Sequence, residues 1–126
     1  MSDELVRVRD LKKIFSVPAG ELHAVDGVDF SIARGSTIGI VGESGCGKST
    51  MGRLLAMLLE ATSGEILFDG QNIAKKMSKA EAMAYKKRIQ MIFQDPFSSL
   101  NPRMTTFETI IEPLNIHRAG TLQERE

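Results

Sequence analysis

The sequence lacks the features that mark disulfide-stabilised, membrane-spanning and nucleic-acid-binding chains. Its single cysteine, Cys46, cannot form an internal disulfide, which suits a reducing cytosol. Lys and Arg total 16 and Asp and Glu total 16, so no net charge draws the chain toward nucleic acid. The longest apolar run, residues 54–59, is far too short to span a membrane, and the polar residues 1–4 are unlike a signal peptide. Partner choice must therefore come from local sites.

The length and composition are those of one ordinary domain or of a piece of one. The chain has 126 residues, of which 42% are hydrophobic, and this is enough to build a core. Val28, Phe30 and Ile32 alternate with polar or small residues, and short apolar stretches flank a polar turn at residues 9–10. This pattern predicts antiparallel strands with one face in water. The Asp-Gly pair at residues 69–70 predicts a hairpin.

Two apolar segments predict strands of another kind. Residues 37–41 form a continuous apolar stretch, which is typical of a strand buried on both faces in a parallel sheet. Residues 89–93 predict a second buried strand. Between them the sequence predicts a helix that begins near Lys48 and that Gly64 ends. Its helical spacing is carried by Leu54, Leu55, Leu58 and Leu59.

Two capping boxes predict the starts of two further helices. Ser78 with Glu81 predicts a helix through about residue 87, and Thr105 with Glu108 predicts another. The cations around the first of these helices are interpreted as a solvated face, because an acidic residue interrupts them and the net charge is zero. They are Lys75, Lys76, Lys79, Lys86, Lys87 and Arg88.

The second of these helices carries an apolar stripe and an internal proline. Pro113 removes the hydrogen bond to the carbonyl group of Thr109, so we expect it to kink or end the helix. The stripe has the helical spacing i, i+3, i+4, i+7 and consists of Phe107, Ile110, Ile111 and Leu114.

The segment between the first buried strand and its helix has the spacing of a phosphate-binding loop. The pattern G-x-x-x-x-G-K-[ST] has a chance probability on the order of 10⁻⁵ per starting position. A strand before it and a helix after it are the context that the motif requires. We therefore expect the chain to bind the triphosphate of a nucleotide, with ATP as the expected ligand. The loop reads Gly42-Glu43-Ser44-Gly45-Cys46-Gly47-Lys48-Ser49, and Thr50 follows.

Each residue type in this loop has a chemical reason. The three glycines lack a Cβ, so the backbone can turn its N-H groups inward around a phosphate, and the helix adds its free N-H groups and dipole. Lys48 supplies an ammonium for the β and γ phosphates. The Ser49 hydroxyl is a hard oxygen ligand for Mg²⁺, and Thr50 is placed to reach the α phosphate. Cys46 is either a reactive thiol or, more simply, a small loop residue.

Gln94 is the candidate second half of the site. It ends the predicted strand 89–93, and a strand end beside the phosphate-loop strand would point a side chain at the phosphates. Gln94 is therefore placed to touch Mg²⁺ or the attacking water. The alternative is a glutamine that merely begins a loop.

The chain resembles the ATP-binding subunits of ABC transporters, in particular the dipeptide, oligopeptide and nickel import group. The resemblance implies an α/β fold, namely the first half of a P-loop NTPase core with an N-terminal antiparallel β subdomain and the start of a helical subdomain. Residues 1–94 would form the nucleotide-binding core, and residues 95–126 the Q-loop and a truncated helical subdomain. The matching segments are residues 42–50, Ser63-Gly64-Glu65-Ile66, Phe93-Gln94-Asp95-Pro96 and Asn101-Pro102-Arg103-Met104.

This resemblance also implies roles and partners. Gln94 would be the Q-loop glutamine that senses the γ phosphate and Mg²⁺, and Phe15 would stack on adenine, although a plain strand-core role for Phe15 stays open. The implied function is to couple ATP binding and hydrolysis to import of peptides or related solutes. The implied partners are membrane permease subunits, which dock near the Q-loop, and a second ATP-binding subunit. The implied location is peripheral, on the cytoplasmic face of the membrane.

The sequence departs from the family after Gln94. No hydrophobic strand ending in Asp-Glu (Walker B) follows it, nor a Ser-Gly-Gly signature, nor a switch histidine. His23 and His117 are interpreted as exposed side chains. The sequence thus looks like the first half of an ABC ATPase, and we expect the 126-residue chain to be inactive alone.

Two alternatives remain at the level of the sequence. The first is another P-loop NTPase, a kinase or a GTPase, although the Asn-Lys-x-Asp guanine reader of a GTPase is missing. The second is a non-catalytic nucleotide-binding or docking module, because the chain has a phosphate loop but no catalytic carboxylate of the expected type.

Overall fold

A computed structural model describes residues 3–126. Contacts divide the chain into two compact units, which meet in sequence between Glu81 and Ala82. None of the helices in residues 3–126 has the length and apolar character that a membrane span requires. The elements are β1 (Glu4–Val17), β2 (Gly20–Ala33), α1 (Lys48–Leu55), β3 (Ser63–Phe68), β4 (Gln71–Asn72), α2 (Lys79–Arg88), α3 (Pro96–Ser99), α4 (Thr106–Ile116) and α5 (Leu122–Arg125).

The first unit is built on one antiparallel sheet with the strand order β2-β1-β3-β4. The long hairpin of β1 and β2 runs from the pair Val17 and Gly20 to the pair Glu4 and Ala33. This sheet confirms the predicted antiparallel β region. Among the described residues, the most completely buried large side chains come from β1, α1 and β3, and these are Val8, Leu11, Leu54 and Ile66.

The predicted turn at residues 9–10 is wrong, because β1 continues through this segment as a bulge. Asp10 has a φ of 43°, and the pairing register with β2 shifts between Val8 and Leu11. The Asp10 N-H donates to Asp29 Oδ1 at 3.1 Å. An extra residue in a strand reverses the alternation of its side chains, so Val8 and Leu11 are both fully buried despite their odd spacing.

The predicted hairpin at residues 69–70 is confirmed. Asp69 and Gly70 have φ values of 51° and 83°, as a two-residue type I′ turn requires, and they join β3 to β4. The Asp69 N-H donates to the Leu5 carbonyl oxygen at 2.8 Å, and Arg34 pairs with the Asp69 carboxylate. The turn is thereby tied to β1 and to the segment after β2.

Neither of the predicted buried strands is present. Residues 37–41 are not a strand, and Ile40 and Val41 are 48% and 92% exposed. Residues 89–93 also form no strand, and Ile92 is 97% exposed. An apolar composition favours burial, but a strand also requires a neighbour that pairs with its N-H and C=O groups. Within residues 3–126 the sheet supplies no such neighbour to either segment.

Helix α1 begins at Lys48 as predicted but ends earlier than expected. Met57 takes the left-handed conformation, with a φ of 56°. Its N-H donates to the Leu54 carbonyl oxygen at 3.2 Å, and the Leu58 N-H donates to the Arg53 carbonyl oxygen at 2.8 Å. These two bonds form a Schellman motif, which ends the helix before Leu58 and leaves that side chain half exposed.

Both predicted capping boxes are confirmed. Ser78 and Glu81 exchange hydrogen bonds of 2.9 and 3.2 Å at the start of α2, and Thr105 and Glu108 exchange bonds of 2.6 and 3.1 Å at the start of α4. The backbone and side-chain bonds from the capping partner hold the pKa of each glutamate below its ordinary value.

Pro113 does not end α4, which continues to Ile116. The helix loses the bond that residue 113 would donate, yet the His117 N-H still donates to the Pro113 carbonyl oxygen at 3.0 Å. A proline inside a helix removes one backbone donor, and in α4 the hydrogen bonds that Thr109 and His117 donate on either side of it are present. None of the α4 side chains is buried, and the predicted apolar stripe is exposed at Phe107, Ile110 and Leu114.

Candidate nucleotide-binding site

The phosphate-loop sequence forms an exposed loop that leads directly into α1. Gly47 is the N-cap of this helix, with a φ of 99°, and no side chain caps the first turn. The first turn also contains no acidic residue. The free N-H groups and the positive end of the helix dipole are therefore left open to an anion, as the sequence predicts.

The loop is anchored on the sheet at Gly47. In the β1 and β2 pairing, Lys13 lies opposite Val25 and Ile14 lies opposite His23, so Ala24 is an extra, unpaired residue of β2. A Cβ on Gly47 would collide with the carbonyl oxygen of Ala24. Only glycine combines this close approach with a positive φ, so the loop end is held against the bulge.

Lys48 is folded back into the curve of the loop. Its Nζ donates to the carbonyl oxygens of Gly42 and Glu43, the latter at 2.8 Å, and lies 3.5 Å from Cys46 Sγ. The Cys46 N-H closes the loop by donating to the Glu43 carbonyl oxygen at 3.2 Å. The ammonium therefore sits inside the ring of loop backbone, where the oxygens of a bound phosphate would compete for its donors.

The two hydroxyl residues after Lys48 lie in the first turn of α1. Ser49 is exposed and Thr50 is half-buried. Within residues 3–126 the Ser49 hydroxyl makes no hydrogen bond, so its oxygen is available as a ligand. No cluster of His, Cys, Asp and Glu in this part of the chain is suited to hold a metal by itself. A hydroxyl oxygen beside a phosphate-binding loop is a donor that fits a Mg²⁺ ion shared with phosphate oxygens.

A half-open cavity of about 590 Å³ adjoins the loop in the first unit. Its volume is within the range of small-molecule sites. Apolar side chains of β2 and of residues 38–41 form one part of its wall, and the loop and α1 form another. The loop and helix contribute Cys46, Gly47, Lys48 and Met51.

Phe15 lies on β1, close to this anchor point. It pairs with Leu22 across the hairpin, two positions from the Ala24 bulge, and its ring is half-buried. Lys13 Nζ lies over the ring at 5.1 Å from its centroid. Strand β2 therefore contacts the phosphate loop at Ala24 and pairs with the candidate base-stacking residue Phe15 at Leu22.

Gln94 is exposed and belongs to the second unit, between α2 and α3. Its neighbour Asp95 caps α3 by accepting from the Phe97 N-H at 3.0 Å and the Ser98 N-H at 3.4 Å. Hydrogen bonds from Ser98 and from the Phe97 backbone hold the pKa of Asp95 below its ordinary value. Gln94 therefore lies in the loop directly before the capped start of α3.

Two residues that contribute to this region were not predicted from the sequence. Ala24 contacts the phosphate loop through its backbone carbonyl, and no side-chain pattern marks such a contact. Lys13 lies over Phe15, and the i, i+2 spacing in a strand was the available signal. Both histidines were expected to be exposed. This is confirmed for His23 and wrong for His117, which is half-buried.

The family model described as ABC transporter matches residues 25–125, which include the phosphate loop and Gln94. The chain belongs to the ABC transporter family. Its Bacillus subtilis relative, the oligopeptide transport ATP-binding protein OppF, is 48% identical over 99% of this chain and 41% of its own length. The related protein AppF, from the same organism, is 47% identical over 98% of this chain and 40% of its own length. The chain thus spans about two fifths of the curated relatives that it matches.

Solved structures of this ABC family have the same fold. The ATP-binding cassette MJ0796 in a dimeric, post-hydrolysis state bound to ADP and Pi gives a TM-score of 0.79 at 25% identity, over 95% of this chain and 52% of that one. A nucleotide-free ATP-binding cassette from an ABC transporter gives 0.70 at 30% identity, over 97% of this chain and 44% of that one. These likenesses confirm the predicted α/β fold class of a P-loop NTPase core.

Proposed function

We propose that this chain is the N-terminal, nucleotide-binding part of an ABC ATPase that couples ATP binding and hydrolysis to import of peptides or related solutes. The observation that carries the proposal is the uncapped start of α1, with Lys48 held inside the loop that precedes it. Identity of 48% to an oligopeptide transport ATP-binding protein supports the peptide class of the solute.

The roles of the site residues follow from their chemistry. The backbone of residues 42–47 and the hydroxyl of Thr50 would hold the phosphates, Lys48 would stabilise the β and γ phosphates, and Phe15 would stack on adenine. Mg²⁺ would be held by the Ser49 hydroxyl and, by family resemblance, by Gln94, and would offset negative charge on the phosphates. Lys48 and Gln94 are the catalytic candidates.

The proposed setting is that of a transporter subunit. A permease in the membrane would dock near Gln94, and a second ATP-binding subunit would face the nucleotide. The protein would then be peripheral, on the cytoplasmic side of the membrane. A dimeric structure among those with this fold supports the second subunit as a partner.

The test is the affinity for Mg-ATP of a Lys48→Ala variant. A charge-assisted hydrogen bond contributes about 1.5 to 3 kcal/mol, so we expect the affinity to fall about tenfold or more. Arg53→Ala is the matched control, because it removes an exposed cation from the last turn of the same helix. Fluorescent nucleotide titration measures both variants. Equal affinity of Lys48→Ala and the parent chain would remove the phosphate-loop assignment.

A second candidate is a nucleotide-binding module without catalysis. It shares the phosphate loop and the uncapped start of α1 with the first candidate and lacks the hydrolysis step. The two candidates predict the same ATP affinity and differ in ATP turnover.

A further inference from the structure

We propose that Lys13 is a second side-chain determinant of nucleobase binding, which fixes the Phe15 ring so that the base stacks on the ring face that Lys13 leaves free. The proposal rests on the nucleotide-binding function proposed above. It assigns a role to a lysine outside the phosphate loop.

The geometry places Lys13 and Phe15 on one surface of β1. Residues i and i+2 of a strand point to the same face, and Lys13 Nζ lies 5.1 Å from the centroid of the Phe15 ring. This distance is within the range of a cation-π contact. Leu22, the cross-strand partner of Phe15, flanks the ring on the same face and is 54% exposed. The result is a small exposed platform with a cation over one side of its aromatic ring.

The backbone under this platform is held in place by contacts from outside the hairpin. The Ile14 N-H donates to Thr62 Oγ1 at 2.9 Å, and the Thr62 N-H donates to the Lys12 carbonyl oxygen at 2.9 Å. These bonds secure β1 on both sides of Lys13. On the other strand the Ala24 bulge carries the contact with the phosphate loop, so the platform and the loop are fixed to the same stretch of hairpin.

The charge of Lys13 is not used in an ion pair. Its neighbour Lys12 has a carboxylate partner, with Nζ 3.8 Å from Asp10 Oδ1. Within residues 3–126 Lys13 forms no such pair, and its contact is with the ring of Phe15. A cation over one face draws electron density from the ring and restricts its rotation. The opposite face is then the one on which an electron-rich purine stacks.

The experiment compares two ligands, Mg-ATP and inorganic tripolyphosphate, on three variants. We expect Lys13→Met to weaken ATP binding about two- to fivefold, the size of an exposed cation-π contact, and to leave tripolyphosphate binding unchanged. Lys13→Arg should keep the ATP affinity of the parent chain, because a guanidinium also binds an aromatic face. Lys12→Met is the matched control and should change neither ligand. Isothermal titration or competition against a fluorescent nucleotide gives the dissociation constants.

Two results would overturn the role of Lys13. Equal losses for ATP and tripolyphosphate would mean that Lys13 acts through its charge on the phosphates and not through the base. A loss that persists when Lys13→Met is made in a Phe15→Leu background would mean that the ring is not the intermediary. Failure of the proposed function would give a result different from these two, because the parent chain would then show no ATP binding that depends on Lys48.

Discussion

At the scale of single residues, the phosphate loop brings the only thiol of the sequence next to its lysine. Cys46 Sγ lies 3.5 Å from Lys48 Nζ, and a Cβ on Gly42 would come within 2.5 Å of the same sulfur atom. The thiol therefore fills the space that the glycine leaves. Because Cys46 is exposed and is the single cysteine, it reports directly on occupancy of the loop.

We expect bound Mg-ATP to slow alkylation of Cys46. The triphosphate would cover the loop and draw the Lys48 ammonium away from its carbonyl partners, so reagent access to the sulfur would fall. The measurement is the rate of thiol modification with and without saturating nucleotide, and Lys48→Ala should lose the protection. The same rate in the presence and absence of saturating Mg-ATP would mean that nucleotide does not occupy this loop.

At the scale of elements, a capping side chain directly precedes each of the helices α3, α4 and α5. The Thr105 and Glu108 box satisfies two N-H groups at the beginning of α4. The bonds from the Thr105 backbone and hydroxyl lower the pKa of Glu108. A carboxylate whose folded pKa is depressed stabilises the folded state above its unfolded pKa. This contribution is lost as the pH falls through the folded pKa.

Thr105→Ala should therefore loosen the start of α4. The Glu108 N-H, which donates to Thr105 Oγ1 at 3.1 Å, should exchange with solvent about fivefold faster, since an N-cap contributes roughly 1 kcal/mol. The pKa of Glu108 should rise only part of the way toward its ordinary value, because the backbone N-H of residue 105, the larger cause of the shift, still donates to the carboxylate. Both are measured by NMR, and Thr106→Ala is the neighbouring control. If the pKa of Glu108 is unchanged in Thr105→Ala, the Thr105 hydroxyl does not contribute to its shift.

At the scale of the whole molecule, apolar segments are exposed that lack partners in the described residues. Residues 37–41 and 89–93 have no paired neighbour, and Val41 and Ile92 are almost fully exposed. Unpaired apolar backbone is a template for association with another chain. The chain also spans about two fifths of its curated relatives. The polypeptide of 126 residues thus combines a complete phosphate loop with uncovered apolar surface.

We expect this 126-residue polypeptide, purified by itself, to self-associate and to hydrolyse ATP at the background rate. Sedimentation over a concentration series measures the self-association. Val41→Thr keeps the shape of the side chain but replaces a methyl group with a hydroxyl, and it should weaken the association. The rate of phosphate release measures ATP hydrolysis, and Lys48→Ala is the blank for contaminating ATPases. Steady Lys48-dependent turnover on the order of 1 s⁻¹ from a monodisperse monomer would contradict this expectation and favour a catalytic chain over a binding module.

The features that the sequence specifies unaided are local in the chain. The Asp-Gly turn, the two capping boxes and the start of α1 at Lys48 each depend on residues within four positions of one another, so their pattern specifies their geometry. The glycines, lysine and serine of the phosphate loop are likewise close together in the chain. Their spacing is sufficient to predict an anion site, because the loop backbone and the helix start that form it are adjacent in the chain.

The features that required the folded chain depend on contacts between distant residues. The apolar character of residues 37–41 predicted burial, but whether a strand forms depends on a neighbour elsewhere in the chain. The bulges at Asp10 and Ala24 depend on the register of two strands, and the position of Gly47 depends on a backbone carbonyl that has no signal in the side-chain sequence. Lys13 reaches its place over Phe15 because the strand geometry, held by Thr62, aligns the two side chains.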